Sequence, residues 1–448
     1  MPKYLIIGNS AGGIGAAEAI RELDATGSLA IVSDEAFPAY SRPLISEYLA
    51  GETSIQKMLY RPEGFYSKNS IRALLGKRAL RIDLERHCVE LDDGGGLDFE
   101  KLLLATGGVP FVPSIDGKWR RGVYTFTTLR DAQQIEQHLA EARRAVVIGG
   151  GLIGISATEA LAHRGLAVTV VELKDRILNV LLDEKAAAIA QAAVTGAGVR
   201  VVVNATVKSI TGRPGDNDVV GGVLLDSGEA IECDIVIVAI GVVPRTDLVA
   251  GTGITVNRGV VVDRFMETSE PGVYACGDVA EAYDFIFDGN RVVPIWPNAY
   301  IGGRIAGRNM AGVPTEYKGG TSMNSLKYFG LSIVSAGVVG GLESGNGYEV
   351  VVGGGLDGSP YRKIVVQNNR IVGMTFVDDI ERSGVVLGLM REKVDVEALK
   401  EAIVGDEFGF AVLPSDLRLA RFGLKNSSRL PVQEQTICQA GDVDGLSD

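Results

Sequence analysis

Little in these 448 residues can carry redox or acid–base chemistry unaided. The four cysteines, Cys88, Cys233, Cys276 and Cys438, stand far apart, without the short spacings of a zinc site, an iron–sulfur cluster or a local redox disulfide. The three histidines, His87, His138 and His163, fall in polar strand or helix-end contexts and read as surface residues, not as acid–base catalysts. Cationic surplus is missing too. With 44 Lys and Arg against 56 Asp and Glu, a net charge of −12 and no long basic block, the chain is a poor match for nucleic-acid phosphates or anionic membranes. Long hydrophobic runs are absent: Lys3-Tyr4-Leu5-Ile6-Ile7 meets Gly8 too early for a signal peptide or a spanning helix, so a cytoplasmic location is expected. Any redox centre must be brought in.

What is present is glycine, 58 residues of it, placed at turns and not in low-complexity tracts. Tyr4-Leu5-Ile6-Ile7 reads as a short buried strand, followed by a glycine turn and a helix from Ala16 to Leu23. The unit recurs: Ala145-Val146-Val147-Ile148 leads into Gly149-Gly150-Gly151-Leu152-Ile153-Gly154 and a second helix. Each continues into another strand, Leu29–Val32 ending at Ser33-Asp34-Glu35, and Ala167–Val171 ending at Glu172. Apolar runs at 102–105 and 235–239 end in glycine turns, as the last strand of a doubly wound half does. Past Lys318 the texture changes to antiparallel alternation at 332–336, 348–352, 361–366 and 370–377, with Asn368-Asn369 as a hairpin turn and helices near 380–391 and 396–404. The predicted fold is α/β, with two Rossmann-type dinucleotide-binding domains and a C-terminal α+β interface domain. The expected boundaries are 1–112 with 245–318, 113–244, and 319–405, followed by a polar tail over 406–448.

Gly149, Gly151 and Gly154 fit G-x-G-x-x-G between a strand and a helix, with Glu172 at the end of the next strand. The first glycine permits the tight turn, the second lets backbone approach a pyrophosphate, and the third permits close helix packing. Glu172 would bind both ribose hydroxyls and repel a 2′-phosphate, favouring NADH over NADPH. Ile153 and Gly241 complete the expected NAD set. The first unit, Gly8-Asn9-Ser10-Ala11-Gly12-Gly13, puts Ser10 where the second glycine should stand, so a side chain faces the pyrophosphate there.

Tyr40-Ser41-Arg42-Pro43, Ala105-Thr106-Gly107-Gly108, the Gly149–Gly154 turn and Val273-Tyr274-Ala275-Cys276-Gly277-Asp278 together resemble the FAD/NAD(P)-dependent pyridine nucleotide oxidoreductases. Trp296-Pro297-Asn298-Ala299 and Asn324-Ser325-Leu326-Lys327-Tyr328-Phe329-Gly330 point to the branch of rubredoxin reductases, nitrite reductase flavin domains and phenylglyoxylate dehydrogenase flavoprotein subunits. The resemblance covers residues 1 to about 405. It implies an FAD site of Gly8, Ser10, Gly13, Asp34, Arg42, Pro43, Ala105, Thr106, Gly107, Gly277, Asp278 and Ala299. Asp278 would bind the ribityl and phosphate region, Arg42 and Pro43 would lie near the cofactor, and Asp34 or its neighbour Glu35 would bind the adenosine ribose, Asp34 being preferred. The helix after Trp296-Pro297-Asn298 would aim its N-terminus at the flavin.

Two departures from the relatives matter. Where disulfide reductases carry a cysteine pair and oxidases a single cysteine near the flavin, this chain has Arg42, so thiol relay chemistry is disfavoured and Cys88 and Cys276 read as packing residues. Where related ferredoxin reductases carry a lysine–glutamate pair, it has Glu47 and Ser156. No catalytic side chain is expected: NADH would pass hydride to flavin N5, and electrons would go on to a ferredoxin- or rubredoxin-like carrier or an iron–sulfur partner subunit. Arg61, Arg72, Lys77, Arg78 and Arg81 could offer such a partner a basic face. The alternatives are an NADH oxidase that reduces oxygen, and a flavin-binding protein that senses NADH. The C-terminal domain resembles a dimer interface, implying a homodimer or a place in a heteromeric complex.

Overall fold

The computed structural model describes residues 2–340, 347–355, 360–406, 408, 409 and 413. Its centre is built from two five-stranded parallel sheets. The first orders strands Val273–Ala275, Lys101–Leu104, Tyr4–Ile7, Leu29–Ser33 and Ile71–Leu75. The second orders Arg200–Val202, Ala167–Val171, Arg144–Ile148, Ile235–Val238 and Val123–Tyr124. Tyr4–Ile7 and Ile235–Val238 are buried along their whole length, as parallel strands covered on both faces must be. In each sheet the middle strand of the five runs into the glycine turn. The registers match as well: Ile7 lies opposite Val32 and Leu104, and Ile148 lies opposite Val171 and Val238. This is the expected α/β fold with two Rossmann-type sheets.

The first helix spans Ala11–Leu23, five residues more than the Ala16 start expected, and its glycines explain the extension. It crosses the helix Trp296–Met310 with backbones touching. A Cβ on Gly303 would stand 2.0 Å from Gly12 O, one on Gly307 2.4 Å from Ala16 O, and one on Gly15 2.6 Å from Tyr300 O. Glycine costs helix propensity here, roughly 1 kcal/mol against alanine, and tertiary packing overrides that cost.

The third sheet is antiparallel, in the order Met323–Tyr328, Leu331–Gly337, Arg370–Val377, Tyr361–Gln367, Glu349–Gly354. Asn368 and Asn369 form the expected hairpin turn, with φ of 51° and 60°. The strand Met323–Tyr328 was not expected, because polar Asn324 occupies its buried side and spoils the alternation. It reaches its neighbour through Phe329-Gly330, at φ of 49° and 81°. The closing helices are shorter than expected, Ser383–Arg391 and Lys400–Val404. Val396 donates to Asn369 O instead of entering a helix. Phe408 and Leu413 are buried in this domain's core. The expected polar tail over 406–448, with Cys438, otherwise lies outside the described residues.

The antiparallel sheet docks on the second parallel unit. Lys363, almost fully buried, pairs with Asp183 at 2.6 Å and donates to Val339 O at 3.1 Å, while Tyr361 OH donates to Asp183 at 3.1 Å. Asp183 also caps the helix Glu184–Gly196, and its carboxyl is held below the usual range by Lys363, backbone amides and Tyr361 against the upward push of burial.

Candidate functional site

The two glycine turns are close copies. Gly8 and Gly149 adopt φ of 124° and 106°, a region that favours glycine, and a Cβ on either would stand 2.0 or 2.4 Å from the carbonyl oxygen of Ala105 or Ala239. Gly8 N donates to Val32 O and Gly149 N to Val171 O, both at 2.8 Å. The third glycines, Gly13 and Gly154, lie 1.9 Å from Gly8 O and Gly149 O when a Cβ is built on them. At the second position the copies differ in side chain but not in type of backbone. Ser10 has φ −119° and ψ −160°, and Gly151 has φ −78° and ψ −172°. Both are extended conformations that any residue adopts, so Ser10 is accommodated without strain. A Cβ on Gly151 would meet no protein atom within 4 Å, so its lack of a side chain serves something outside the fold.

Helix ends support this. The helices Leu129–Leu139 and Glu184–Gly196 are capped by their own side chains, Thr128 in a capping box and Asp183. The helices Ala11–Leu23, Leu152–His163 and Trp296–Met310 have no side-chain cap bond, although Ser10 stands at the first N-cap with a suitable hydroxyl. The Ser383–Arg391 helix lacks one too, so what sets the glycine-turn and Trp296 helices apart is where their amide and positive dipole ends lie, in positions that suit an anionic or electron-rich ligand.

The Ala11 and Trp296 helix ends open onto one cavity of about 780 Å³, which falls in the range of small-molecule sites, about 300–1,000 Å³. Of the residues expected to hold FAD, Gly8, Ser10, Asp34, Arg42, Pro43, Ala105, Thr106, Gly107, Gly277, Asp278 and Ala299 all line it. Gly13 lies behind the turn, packed on Gly8. Ile153, from the helix after the second turn, lines the same cavity, while Gly149, Gly151, Gly154, Glu172 and Gly241 cluster outside it at the ends of the second sheet's strands. Volume, glycine cradle and uncapped helix ends fit a dinucleotide.

Polar groups within the cavity are tied to one another. Glu35 accepts from Tyr40 OH at 2.6 Å and pairs with Arg42, which also donates to Thr127 O at 3.0 Å. Asp34 pairs with Arg245 at 2.7 Å, and Thr106 OH donates to Arg245 O at 3.0 Å. Burial pushes the Asp278 carboxyl up, with Arg42 pulling the other way. The matched registers make Ser33, not Asp34, the counterpart of Glu172, one residue past Val32 as Glu172 is past Val171. Glu172 is buried and accepts from Gly150 N at 2.6 Å and Lys174 N at 2.8 Å. Cys276 is the one cysteine among the lining residues, and burial pushes its thiol up to about 12.

Two expectations change, on the basic face and on His138, while the positions of the relatives' lysine–glutamate pair lie apart. The basic face is largely neutralised: Arg61 pairs with Glu18, Lys77 with Asp93, Arg78 with Asp247 and Arg81 with Glu90, leaving Arg72 as the exposed remainder. His138 is half-buried against Tyr124 OH at 2.9 Å, and burial lowers its pKa, whereas His87 and His163 are exposed as expected. Glu47 and Ser156 do not pair; Glu47 is exposed and Ser156 bonds Tyr328. Lining residues that sequence reading missed include Tyr40, Lys77, Arg78, Arg130, Arg245 and Trp296. Arginines at 78, 130 and 245 carry no local motif, and only the fold collects them.

Comparison with known proteins agrees with this geometry. Residues 2–303 match the family described as pyridine nucleotide-disulphide oxidoreductase, and residues 323–394 match the rubredoxin NAD+ reductase C-terminal domain. The chain is 32% identical over 410 residues to the NADH-dependent phenylglyoxylate dehydrogenase subunit epsilon of Aromatoleum evansii, covering 90% of this chain and 95% of that one. It is 30% identical over 396 residues to the nitrite reductase [NAD(P)H] of Bacillus subtilis, covering 88% of this chain but 48% of that protein, about half its length. Among solved structures, the putidaredoxin reductase in its covalent complex with putidaredoxin superposes with a TM-score of 0.82 at 25% identity, covering 94% of this chain and 99% of that one. The chain belongs to the pyridine nucleotide-disulphide oxidoreductase family and is a flavin- and pyridine-nucleotide-dependent oxidoreductase.

Proposed function

We propose that the chain is an FAD-dependent NADH:acceptor oxidoreductase that passes electrons to an iron–sulfur or other carrier protein, or to a partner subunit. One observation carries this reading. The cavity brings the first turn, the Trp296 helix and Ile153 of the second unit together, and the one cysteine among its described lining residues, Cys276, is buried with no second cysteine beside it there. Bound FAD supplies hydride acceptance at N5 and stepwise electron release.

The residues divide the work. Gly8, Ser10 and Gly13 present the Ala11 helix end to the pyrophosphate, with Arg42 and Pro43 beside it. Ala105, Thr106, Gly107, Gly277, Asp278 and Ala299 line the remainder of the FAD site. Asp34, held by Arg245, or its neighbour Glu35 binds the adenosine ribose, and all three of Ser33, Asp34 and Glu35 line the cavity. Gly149, Gly151, Gly154, Ile153, Glu172 and Gly241 hold NADH, with the Glu172 carboxylate keeping lone pairs free beyond its two backbone bonds. The domains divide at 1–112 with 245–318, 113–244 and 319–405.

In support, one relative is a subunit of an NADH-dependent phenylglyoxylate dehydrogenase, and the matched putidaredoxin reductase was solved in covalent complex with putidaredoxin. The proposed enzyme is cytoplasmic, and no helix among the described residues is long and apolar enough to cross a membrane. Exposed Val350 and Val352 on the edge strand Glu349–Gly354 suit a homodimer through the C-terminal domain.

The test is anaerobic mixing with NADH. Rapid flavin bleaching and transfer to ferricyanide or a viologen, with slow oxygen reduction, is expected. Fast turnover with oxygen and none with carriers would overturn it in favour of an oxidase. Asp278→Ala should purify largely free of FAD, and full flavin content in that variant would remove Asp278 from the site.

A further inference from the structure

The helix Leu152–His163 starts at the second glycine turn, so its orientation sets where a nucleotide bound there points. Ile153, Ser156 and Glu159 are spaced by three and share a face. Ile153 lines the cavity. The next two are gripped from the antiparallel domain. Ser156 Oγ lies 2.8 Å from Tyr328 Oη, and the Tyr328 hydroxyl donates to Leu152 O at 3.3 Å. Phe329 N donates to the Glu159 carboxylate at 2.5 Å. Tyr328 and Phe329 sit at the tight turn between two strands of the third sheet, so they are rigidly presented. Burial pushes the Tyr328 phenol up, so the contact stays neutral over the working pH range.

We propose that Tyr328 is a positioning residue for hydride transfer, its hydroxyl locking Ser156 and the first turn of the Leu152 helix so that the nicotinamide meets the flavin in reacting geometry. This deepens the NADH-to-flavin reading and rests on it. The contact spans 172 residues and joins the C-terminal domain to the start of the nucleotide-binding helix. Misplacement by about 1 Å costs about 10²-fold in rate when reacting atoms must approach to about 3–3.5 Å. Losing one of three anchors, with Phe329–Glu159 and the Leu152–His163 helix packing intact, should cost less.

The experiment is stopped-flow reduction of the FAD-loaded full chain by NADH. Tyr328→Phe and Ser156→Ala should each lower the limiting reduction rate about tenfold, with the NADH dissociation constant, flavin content and melting temperature close to those of the parent. The double variant should be no slower than the slower single one, and Ser156→Thr, which keeps the hydroxyl, should recover most of the rate. Unchanged limiting rates in both single variants, measured against a parent that NADH does reduce, overturn the positioning role alone. A parent that NADH does not reduce overturns the enzyme reading, and the positioning role with it. A limiting rate that falls only in proportion to lost flavin or lowered melting temperature also overturns it, since that is the mark of a merely structural contact.

Discussion

The two strand–turn–helix units have nearly the same backbone and differ in side chain at several positions, two of which bear on the ligand. Gly8 and Gly149, and Gly13 and Gly154, are interchangeable in conformation and in what a Cβ would strike. Ser10 faces Gly151 across the comparison, and Ser33 faces Glu172. The shared first and third glycines are those where the turn leaves no room for a Cβ, whereas Gly151 differs from Ser10 where there is room. A glycine motif therefore mixes two kinds of requirement that spacing alone does not separate.

Substitutions can break the comparison, and the largest effect falls on the shared positions. Gly13→Ala and Gly154→Ala each force a Cβ to within 1.9 Å of a carbonyl, and each should destabilise by roughly 3–5 kcal/mol, read as lost soluble protein or a lowered melting midpoint. A mild effect in one unit alone would end their equivalence. Next comes Gly151→Val, which meets no protein atom from its Cβ and should leave melting unchanged while weakening NADH binding about 100-fold by titration. Glu172→Ser gives the second unit the first unit's residue. It should weaken NADH about tenfold, near 1.4 kcal/mol for lost ribose hydrogen bonds, and bring NADPH closer to NADH in steady-state kinetics. The smallest effect is expected from Ser10→Gly, within roughly threefold in FAD affinity, because the extended backbone there already accepts either residue. A large loss would show the Ser10 hydroxyl to be a phosphate ligand of substance.

Both turns, their flanking strands and the change of texture past Lys318 were legible because they rest on local rules: burial on both strand faces, positive φ at Gly8 and Gly149, and alternation in the antiparallel sheet. Ser10 looked irregular because a spacing rule carries no dihedral angle. Glu35, Tyr40 and Arg42 are near neighbours along the chain, but Thr127 joins them only after the chain returns on itself, and so does Tyr328 with Ser156. The basic face read from Arg61 to Arg81 failed for a related reason. Acidic partners such as Glu18 and Asp247 are distant in sequence but adjacent in space. Asn324 hid a strand by placing an amide where alternation calls for an apolar side chain.

The touching backbones of the Ala11 and Trp296 helices bear on how a molecule of this kind acquires its flavin. Gly12, Gly15, Gly303 and Gly307 bring the two backbones together, and the Glu18–Tyr300 and Glu22–Arg304 contacts tie them, so under the proposed function both helix ends grip FAD as a single part. The flavin's binding surface is then complete only once the Ala11 helix, early in the chain, has met the Trp296 helix, late in it.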